Sequence, residues 1–489
     1  MRACREMGLG TVAVYSDPDR TALHVRVADE AFHIGTGPAS DSYLCIDRII
    51  DVARRSGATY VHPGYGFLAE NEDFAQACLD AGLTFIGPSP DAIRRMGSKT
   101  GARQVAIAAG VPVVPGTEEP FADTASDDEI TRTAAAIGYP LVVKAVSGGG
   151  GKGMRTVAGP GDLLAAVRTA RSEAGSAFGD SAVYLERKIL KPRHIEIQLM
   201  GDAFGTVIPF VERECSIQRR HQKVVEESPS LALDPATRVA MAECAAAVAK
   251  TVGYTNAGTI EFLLDEDGRF YFLEMNTRLQ VEHPVTELVT GIDLVHWQLR
   301  VAMGEPLTID PAQALTPRGH AIECRIYAED PDQGFMPSPG LVRALSVPGG
   351  PGVRDDRGVS AGFEIPLFYD SMISKLVVWG TDRAEAITRL RRVLDEYRVA
   401  GVRTTLPFFR WLVGRPEFAA GAFDTTYLDG LLASRKGQSF VEPSAGDVTD
   451  AAVVAAVAAW FRAHQNAAGP AQPADASVWR RAARKDGLR

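Results

Sequence analysis

The residues with the clearest chemical meaning lie in the segment GTIEFLLDEDGRFYFLEMN (258–276), which predicts a β-hairpin. The Asp-Gly dipeptide at 267–268 suits a two-residue turn, so the residues flanking it would face each other. Counting outward places Glu261 opposite Glu274, and facing carboxylates repel unless a cation lies between them. Asn276 follows on the same face. Two carboxylates and an amide oxygen predict a Mg²⁺ site, and a solvated polar sheet face is the alternative.

The chain beyond the hairpin continues the alternation of charged and apolar residues. If it stays extended, Arg278, Gln280 and Glu282 share the face of Glu274 and Asn276. Arg278 suits bidentate recognition of a planar anion. Glu282 is a candidate general base for a proton on that anion. Bicarbonate fits both groups, because it is planar, anionic and must lose a proton; a surface Arg–Glu pair is the alternative.

A glycine-rich segment, LVVKAVSGGGGKGMR (141–155), begins with a predicted strand. Its consecutive glycines would let backbone N–H groups approach phosphate oxygens closely. The spacing matches neither the P-loop nor a GxGxxG turn that opens a helix. We therefore expect a flap over a nucleotide with Lys144 on the strand beneath it, although a plain linker would have the same composition.

A short basic segment lies between these two motifs, within ERECSIQRRHQKVVEESPS (212–230). It predicts a local cationic patch that could bind a polyanion, and a solvated charged loop is the alternative. The basic side chains are those of Arg213, Arg219, Arg220, His221 and Lys223.

The elements that position these motifs begin with an alternation of strands and helices. Strands are expected at 11–17, at the start of 59–71 and at 83–89, with an amphipathic helix over 43–57. Such alternation predicts a parallel α/β sheet. Met1–Gly8 resembles the end of a helix without a preceding strand, so we expect the first strand of this domain to be missing and the natural protein to extend upstream.

Length and composition bound the remaining possibilities. The 489 residues are 46% hydrophobic and 23% charged, with a net charge of −9, which predicts a soluble protein of several domains without general affinity for nucleic acid or membrane surfaces. No apolar run reaches the roughly 20 residues that a membrane span needs. Six cysteines without a CxxC pair indicate reduced thiols and a cytoplasmic protein.

Long motifs resemble those of one family: HPGYGFLAEN, KAVSGGGGKGMR, PRHIEIQ, ERECSIQRRHQKVVEESP and EMNTRLQVEHPVTE. They are similar to the biotin carboxylase subunits and domains of acetyl-, propionyl- and other acyl-CoA carboxylases and of pyruvate carboxylase, in order from Arg2 to Asp429. The resemblance implies an α/β ATP-grasp fold. It would have an N-terminal Rossmann-like biotin carboxylase domain (1–100), an ATP-grasp domain (101–304) with a mobile lid at about 115–190, and a C-terminal biotin carboxylase domain (318–429), followed by a linker (441–489).

The resemblance also implies roles for individual residues. Those implied to bind ATP are Lys99, Lys144, Gly148, Gly149, Gly150, Gly151, Met154, Glu186, Arg187, Ile189, His194, Gln218, His221 and Leu263. Those implied to hold Mg²⁺ or Mn²⁺, as two ions, are Glu261, Glu274 and Asn276. Those implied to bind bicarbonate or biotin are Lys223, Arg278, Gln280, Val281, Glu282, Arg325 and Tyr65. Family members often carry Lys at the position of Arg187.

The implied reaction is the first half-reaction of an acyl-CoA carboxylase. Bicarbonate attacks ATP to give carboxyphosphate, and biotin is then carboxylated, with Lys223, Arg278, Glu282 and Arg325 as the catalytic residues. None of the ten methionines is followed by Lys, so we expect biotin to be borne by a separate carrier domain or protein. The other expected partners are a carboxyltransferase and a second copy of the chain or a larger carboxylase complex. Two alternatives stay open: another ATP-grasp carboxylase or ligase, and a truncated inactive scaffold protein.

Overall fold

A computed structural model describes residues 1–121, 124–146, 154–179, 181–441 and 445–465. The chain forms two compact units, Met1–Gln438 and Ser439–Arg489. The first unit contains all the predicted site residues. In the second, the structure describes one helix, Ala445–Gln465, where the sequence predicts helix within a linker.

The N-terminal region carries the predicted alternation of strands and helices. β1 pairs with β2 and β3 pairs with β4, each in parallel, which confirms the parallel pairing. The hydrogen bonds join these strands in two separate pairs, and β3 and β4 are each two residues long. The elements are α1 (Arg2–Glu6), β1 (Val12–Ser16), α2 (Leu23–Val27), β2 (Glu30–Gly35), α3 (Ile46–Ser56), β3 (Tyr60–Val61), α4 (Glu72–Asp80), β4 (Thr84–Phe85), α5 (Pro90–Gly97) and α6 (Lys99–Ala108).

A small antiparallel sheet follows, with its own core. Its strand order is β6-β5-β7, and two helices pack against it around Ile130, Leu141, Val143, Val167 and Leu185. The elements are α7 (Asp127–Ile137), β5 (Leu141–Ala145), β6 (Met154–Val157), α8 (Leu163–Phe178) and β7 (Val183–Arg187).

A nine-stranded sheet carries most of the candidate site. Its order is β13-β12-β8-β10-β11-β14-β21-β19, with β9 on β8. The strands before β14 and their helices are β8 (Arg193–Gly201), β9 (Val207–Pro209), β10 (Arg213–Arg219), β11 (Gln222–Ser228), α9 (Pro235–Thr251), β12 (Asn256–Leu264), β13 (Phe270–Asn276), α10 (His283–Thr290), α11 (Leu294–Ala302) and α12 (Pro311–Leu315).

The C-terminal region extends the same sheet. β14 pairs with β11 on one side and with β21 on the other, all antiparallel. One continuous sheet therefore joins the two predicted C-terminal domains. The elements are β14 (His320–Tyr327), β15 (Glu329–Asp330), β16 (Met336–Pro337), β17 (Gly340–Leu341), β18 (Ala344–Ser346), β19 (Val353–Arg357), β20 (Glu364–Ile365), β21 (Met372–Gly380), α13 (Arg383–Glu396), β22 (Arg398–Ala400), α14 (Leu406–Val413), α15 (Pro416–Ala420) and α16 (Tyr427–Ser434); α17 (Ala445–Gln465) is the helix of the second unit.

In the hairpin of β12 and β13, Glu261 stands opposite Glu274, which confirms the predicted pairing. The turn that produces this pairing differs from the predicted two-residue one. Asp265 N–H donates to the Arg269 carbonyl and Gly268 N–H to the Asp265 carbonyl, which leaves three loop residues and a glycine with a φ of 80°. A register shift between Glu261 and Phe262 then restores the predicted pairing, as a β-bulge does when it adds one residue to one strand.

Two further predictions concern the whole chain. The part of the chain that the structure describes contains no helix with the length and apolarity to cross a membrane. All six cysteines are free thiols, which confirms the prediction from their spacing.

Candidate active site

The hairpin carboxylate Glu261 lies in a dense set of hydrogen bonds. Its Oε1 accepts from the Lys223 ammonium at 2.8 Å, from the Asn276 amide at 2.9 Å and from the Gln280 amide at 3.1 Å. Its Oε2 lies 3.1 Å from His194 Nε2. Burial alone would raise the pKa of Glu261, but the charges of Lys223 and His194 outweigh it and lower that pKa. Glu261 is therefore held as a carboxylate.

Lys223 joins three buried carboxylates. Its Nζ donates to Glu196 at 2.5 Å, to Glu261 at 2.8 Å and to Glu282 at 2.6 Å. Burial opposes the charged form of Lys223, yet these three carboxylates raise its pKa well above the usual value. Lys223 is thus a fixed cation rather than a group that gives up its proton near neutral pH.

Arg278 is oriented by four oxygen acceptors, three on side chains and one the Leu279 carbonyl at 3.3 Å. Its Nε donates to Glu70 at 2.8 Å, while its two Nη groups donate to Gln280 Oε1 and to Asn276 Oδ1, both at 3.1 Å. Strand β13 ends at Asn276, so the prediction of one extended run from 274 to 282 is wrong. The chain bends instead, and the side chains predicted to share a face still converge.

Arg325 links Glu282 to a further buried acid. Its Nε donates to Glu226 Oε1 at 2.6 Å and its Nη2 to Glu282 Oε2 at 2.9 Å. Burial would raise the pKa of Glu282, but Lys223, Arg325 and Arg213 together lower it well below its usual range. Glu282 occupies the N-cap position of α10 without a side-chain capping hydrogen bond, and it is completely buried as a carboxylate between two cations.

Lys375 contacts both Tyr65 and Val281 and lies beside the Glu282–Arg325 group. The Lys375 ammonium donates to the Val281 carbonyl at 2.9 Å and lies 5.6 Å from the centre of the Tyr65 ring. Lys375 stands directly opposite Arg325 in the pairing of β14 with β21. The structure therefore brings Tyr65, Val281, Glu282 and Arg325 into one region.

The residues predicted to bind ATP divide between the two antiparallel sheets. In the smaller sheet Lys144 pairs in register with Met154 and with Tyr184, and its ammonium forms an ion pair with Glu186. Arg103 also contacts Glu186, at 3.5 Å. Lys144, Met154 and Glu186 are thus brought together.

The second group lies on the larger sheet. Leu263 stands opposite His194 in the pairing of β12 with β8, which places it two residues along the strand from Glu261. Gln218 is buried on β10 and donates to the Cys215 carbonyl at 2.8 Å. His221 lies exposed at the tip of the turn between β10 and β11, with a φ of 65°.

Arg187 and Ile189 lie at the end of the smaller sheet. The Arg187 guanidinium donates twice to the Ile137 carbonyl at the end of α7, at 2.7 and 3.2 Å. Ile189 is half-buried. Gly148, Gly149, Gly150 and Gly151 lie outside the described residues, and so does the side chain of Lys99.

The predicted cationic patch is not a single surface. Arg213 is completely buried and donates to Glu196 at 2.5 Å and to Gln198 at 3.0 Å. Arg219 pairs with Glu329 at 3.2 Å. The hypothesis of a polyanion patch is therefore wrong for these two arginines, because each is already bonded to an acid of its own chain.

Several residues of the site were missed by the sequence prediction. Glu70, Glu196, Glu226, Glu323 and Lys375 belong to the charged groups described above or lie beside them. The sequence pattern that could have identified them is a charged residue within an otherwise apolar strand, as in RHIEIQLMG (193–201). A charge buried in such a strand needs a partner.

Comparisons with known proteins cover almost the whole first unit. The family model "Biotin carboxylase, N-terminal domain" matches residues 1–93, and "Biotin carboxylase C-terminal domain" matches residues 323–430. Between them, residues 98–310 match "Carbamoyl-phosphate synthase L chain, ATP binding domain". A biotin carboxylase of Nostoc sp. is 51% identical over 431 residues, which are 88% of this chain and 96% of the relative. The chain belongs to the biotin carboxylase family.

Other relatives agree with this biotin carboxylase assignment. Biotin carboxylase 1 of Bacillus subtilis is 49% identical over 430 residues, which are 88% of this chain and 95% of the relative. Among solved structures, the biotin carboxylase domain of Hydrogenobacter thermophilus 2-oxoglutarate carboxylase, a dimer with MgADP, ADP and bicarbonate, has a TM-score of 0.84 at 46% identity, covering 91% of this chain and 96% of that one. The fold is thus the α/β ATP-grasp fold, and the protein is an ATP-dependent ligase.

The donor atoms of the hairpin fit the divalent cation that this biotin carboxylase fold implies. Glu261 and Glu274 are directly paired, and Asn276 adds an amide side chain that already contacts Glu261. Carboxylate and amide oxygens are the ligands that Mg²⁺ prefers. A second group, with His194 and Glu196 near Glu261, has ligand atoms within 4.8 Å of one another, and Lys223 donates to both of its carboxylates.

Proposed function

We propose that this chain catalyses the ATP- and bicarbonate-dependent carboxylation of biotin on a separate carrier, through carboxyphosphate. The observation that carries the proposal is the convergence of Arg278, Lys223, Glu282 and Arg325 beside the hairpin carboxylates. Two oriented guanidinium groups, a fixed ammonium and a buried carboxylate are what a small planar anion and its transferred proton require.

Arg278 and Lys223 would bind the bicarbonate oxygens, and Gln280 and the Val281 backbone would position them. Glu282 would accept the bicarbonate proton. Its lowered pKa keeps it ionised and ready to accept at neutral pH, and the bound anion would compete for the cations that now neutralise it. Catalysis would then depend on positioning and charge neutralisation more than on covalent chemistry by the protein.

Carboxyphosphate would break down to CO₂ and phosphate, and that phosphate would take the N1 proton of biotin. Arg325 would stabilise the resulting biotin oxyanion, with Tyr65 beside the ring, while N1 attacks CO₂. The residues proposed to hold ATP are Lys99, Lys144, Gly148, Gly149, Gly150, Gly151, Met154, Glu186, Arg187, Ile189, His194, Gln218, His221 and Leu263. Glu261, Glu274 and Asn276 would hold one or two Mg²⁺ or Mn²⁺ ions, which when bound neutralise charge on the ATP phosphates.

The domain scheme supports this division of roles. The smaller sheet with α7 and α8 has its own core, which suits a lid that moves as a body at about 115–190 and excludes water from carboxyphosphate. Residues 1–100, 101–304 and 318–429 would be the three domains, with 441–489 as a linker.

The proposed partners are a biotin carrier, a carboxyltransferase and a second copy of the chain or a larger carboxylase complex in the cytoplasm. The final acceptor, an acyl-CoA or a keto acid, would be chosen by the carboxyltransferase. Because no methionine precedes a lysine, the purified chain should give no band with labelled streptavidin. A streptavidin signal from this chain would contradict a separate carrier.

The decisive experiment measures ADP release by the full chain with Mg²⁺, bicarbonate and free biotin. We expect ATP cleavage that requires bicarbonate and is stimulated by biotin. Another ATP-grasp ligase would show no response to biotin, and an inactive scaffold would bind nucleotide without turnover. Either result would overturn the proposal.

A further inference from the structure

Two buried acids face each other next to the Arg325 guanidinium. Glu226 on β11 and Glu323 on β14 are directly opposite in the antiparallel pairing of these strands, so their Cβ atoms lie about 5 Å apart. Both residues have no exposed surface. Two ionised carboxylates this close, and this deeply buried, repel each other strongly.

The hydrogen bonds of the pair are incomplete. Glu226 Oε1 accepts from Arg325. Glu226 Oε2 and both carboxylate oxygens of Glu323 are buried without a hydrogen-bond partner among the described residues. A buried charge without a partner costs far more than a buried neutral group, so such a carboxyl group takes up a proton instead.

The charge balance of the connected network agrees. Five buried acids, Glu196, Glu226, Glu261, Glu282 and Glu323, lie beside four basic groups that contact them among the described residues, Lys223, Arg213, Arg325 and His194. The next cation, Lys375, lies 3.8 Å from Asp356 and donates to the Val281 carbonyl. The acids are therefore in excess.

We propose that Glu226 and Glu323 share one proton in the working enzyme and that this singly charged pair is a positioning device for Arg325. Glu226 then holds the guanidinium from one side while Glu282 holds it from the other. The proton on the Glu323 side keeps the pair from attracting Arg325 away from the proposed biotin oxyanion. This inference rests on the proposed function for its catalytic consequence, but not for the proton itself.

The surroundings determine how the pair titrates. Burial raises the pKa of Glu226 to about 7 against the opposing charge of Arg325, with Glu282 adding to the rise. Burial also raises the pKa of Glu323 well above its usual value, against the charge of Lys375. The other titratable groups that act on the pair are Lys223 of β11, Cys215 of β10, Cys324 and Tyr327 of β14, and Tyr65; His283 of α10 lies beside Lys375.

The first test detects the proton directly, without catalysis. Infrared spectra of the full chain at pH about 7 should show a protonated carboxyl band from the pair, since ordinary Glu groups with a pKa near 4.3 are ionised there. The band should be lost in Glu323→Gln. It should persist in Glu227→Gln, a matched control, because Glu227 is a similarly buried neighbour bonded instead to His320 and Arg383. A spectrum of Glu323→Gln that equals that of wild type would overturn the shared proton.

The second test measures positioning. Glu226→Gln should raise the KM for free biotin roughly tenfold, about 1.4 kcal/mol, and leave the KM for ATP unchanged. Glu323→Gln should weaken the loss of biotin-dependent turnover as the pH rises above about 7, because its amide cannot ionise. Glu227→Gln should alter neither the biotin KM nor the pH profile. An equal rise in both KM values, or an unchanged pH profile in Glu323→Gln, would refute positioning.

Wild-type protein that shows the infrared band without any biotin-dependent turnover would refute the proposed function and leave the shared proton in place.

Discussion

Replacing Lys223 by Met tests whether one ammonium neutralises the centre of the site. The substitution keeps most of the aliphatic side chain and removes the charge that contacts Glu196, Glu261 and Glu282 at 2.5 to 2.8 Å. Removing one partner of a buried ion pair costs about 3–5 kcal/mol. Contacts to one charge are not additive, so we expect a loss of about 4 kcal/mol rather than three times that value.

This loss should be visible as a lower melting temperature. At roughly 2–4 °C per kcal/mol for domains of 150–250 residues, and less for a longer unit, we expect Lys223→Met to melt about 5–10 °C below wild type. Lys250→Met is the matched control, because Lys250 is exposed on α9. It should melt within about 1 °C of wild type, as surface substitutions usually do.

The double variant Lys223→Met with Glu282→Gln sharpens the test. It also removes the charge of Glu282, one of the three carboxylates that lose the Lys223 ammonium in Lys223→Met, so it should melt higher than the single variant. Bicarbonate-dependent ATP cleavage should fall roughly 100-fold or more in Lys223→Met. A single variant that melts with wild type would show that the three contacts do not stabilise the folded chain, and the electrostatic reasoning about the site would fail.

Three further predictions concern neighbouring groups. Glu274→Gln should abolish ATP turnover with Mg²⁺ while circular dichroism and melting show a preserved fold; near-normal turnover would contradict its role as a metal ligand. Glu282→Ala should lose bicarbonate-dependent ATP cleavage and retain nucleotide affinity by titration calorimetry, whereas an equal loss of affinity would make it a nucleotide ligand. Burial would raise the pKa of Glu227, but His320 and Arg383 lower it, so its stabilisation is present above its usual pKa of about 4.3 and is lost as the pH falls further. The melting temperature of wild type should therefore drop more steeply below pH about 4.5 than that of Glu227→Gln, and parallel curves would contradict this.

The hairpin shows why some predictions from sequence succeed despite wrong details. The turn has three loop residues rather than two, and a bulge follows, yet Glu261 still faces Glu274. Ile260, Phe262 and Leu264 lie in the core on one face of β12 and Glu261 lies on the other face, so a slip by one residue would put the carboxylate into the core. The pattern therefore constrains the pairing near the charged residues more tightly than the turn chemistry does.

The acids of the centre could not be predicted in the same way. Glu196, Glu226 and Glu323 come from β8, β11 and β14, three strands of a sheet whose complete strand order differs from the order in the chain. The cations bonded to Glu196 and Glu226 lie between 17 and 99 residues away. Local periodicity identifies each as a charge within an apolar strand. It cannot say which cation it meets, because that depends on strand order and register across the whole sheet.

That sheet also explains how two chemical steps can share one geometry. Lys223 lies on β11 and Arg325 on β14, and these strands are hydrogen-bonded neighbours, about 4.8 Å apart. The proposed bicarbonate group and the proposed biotin group are therefore fixed by a backbone ladder and by Glu282, which both cations contact. The lid strands belong to a different sheet. Closure of the lid over ATP would consequently leave the distance between Lys223 and Arg325 unchanged. The activated carboxyl group formed at the bicarbonate site beside Lys223 would then travel only a short distance to biotin at Arg325.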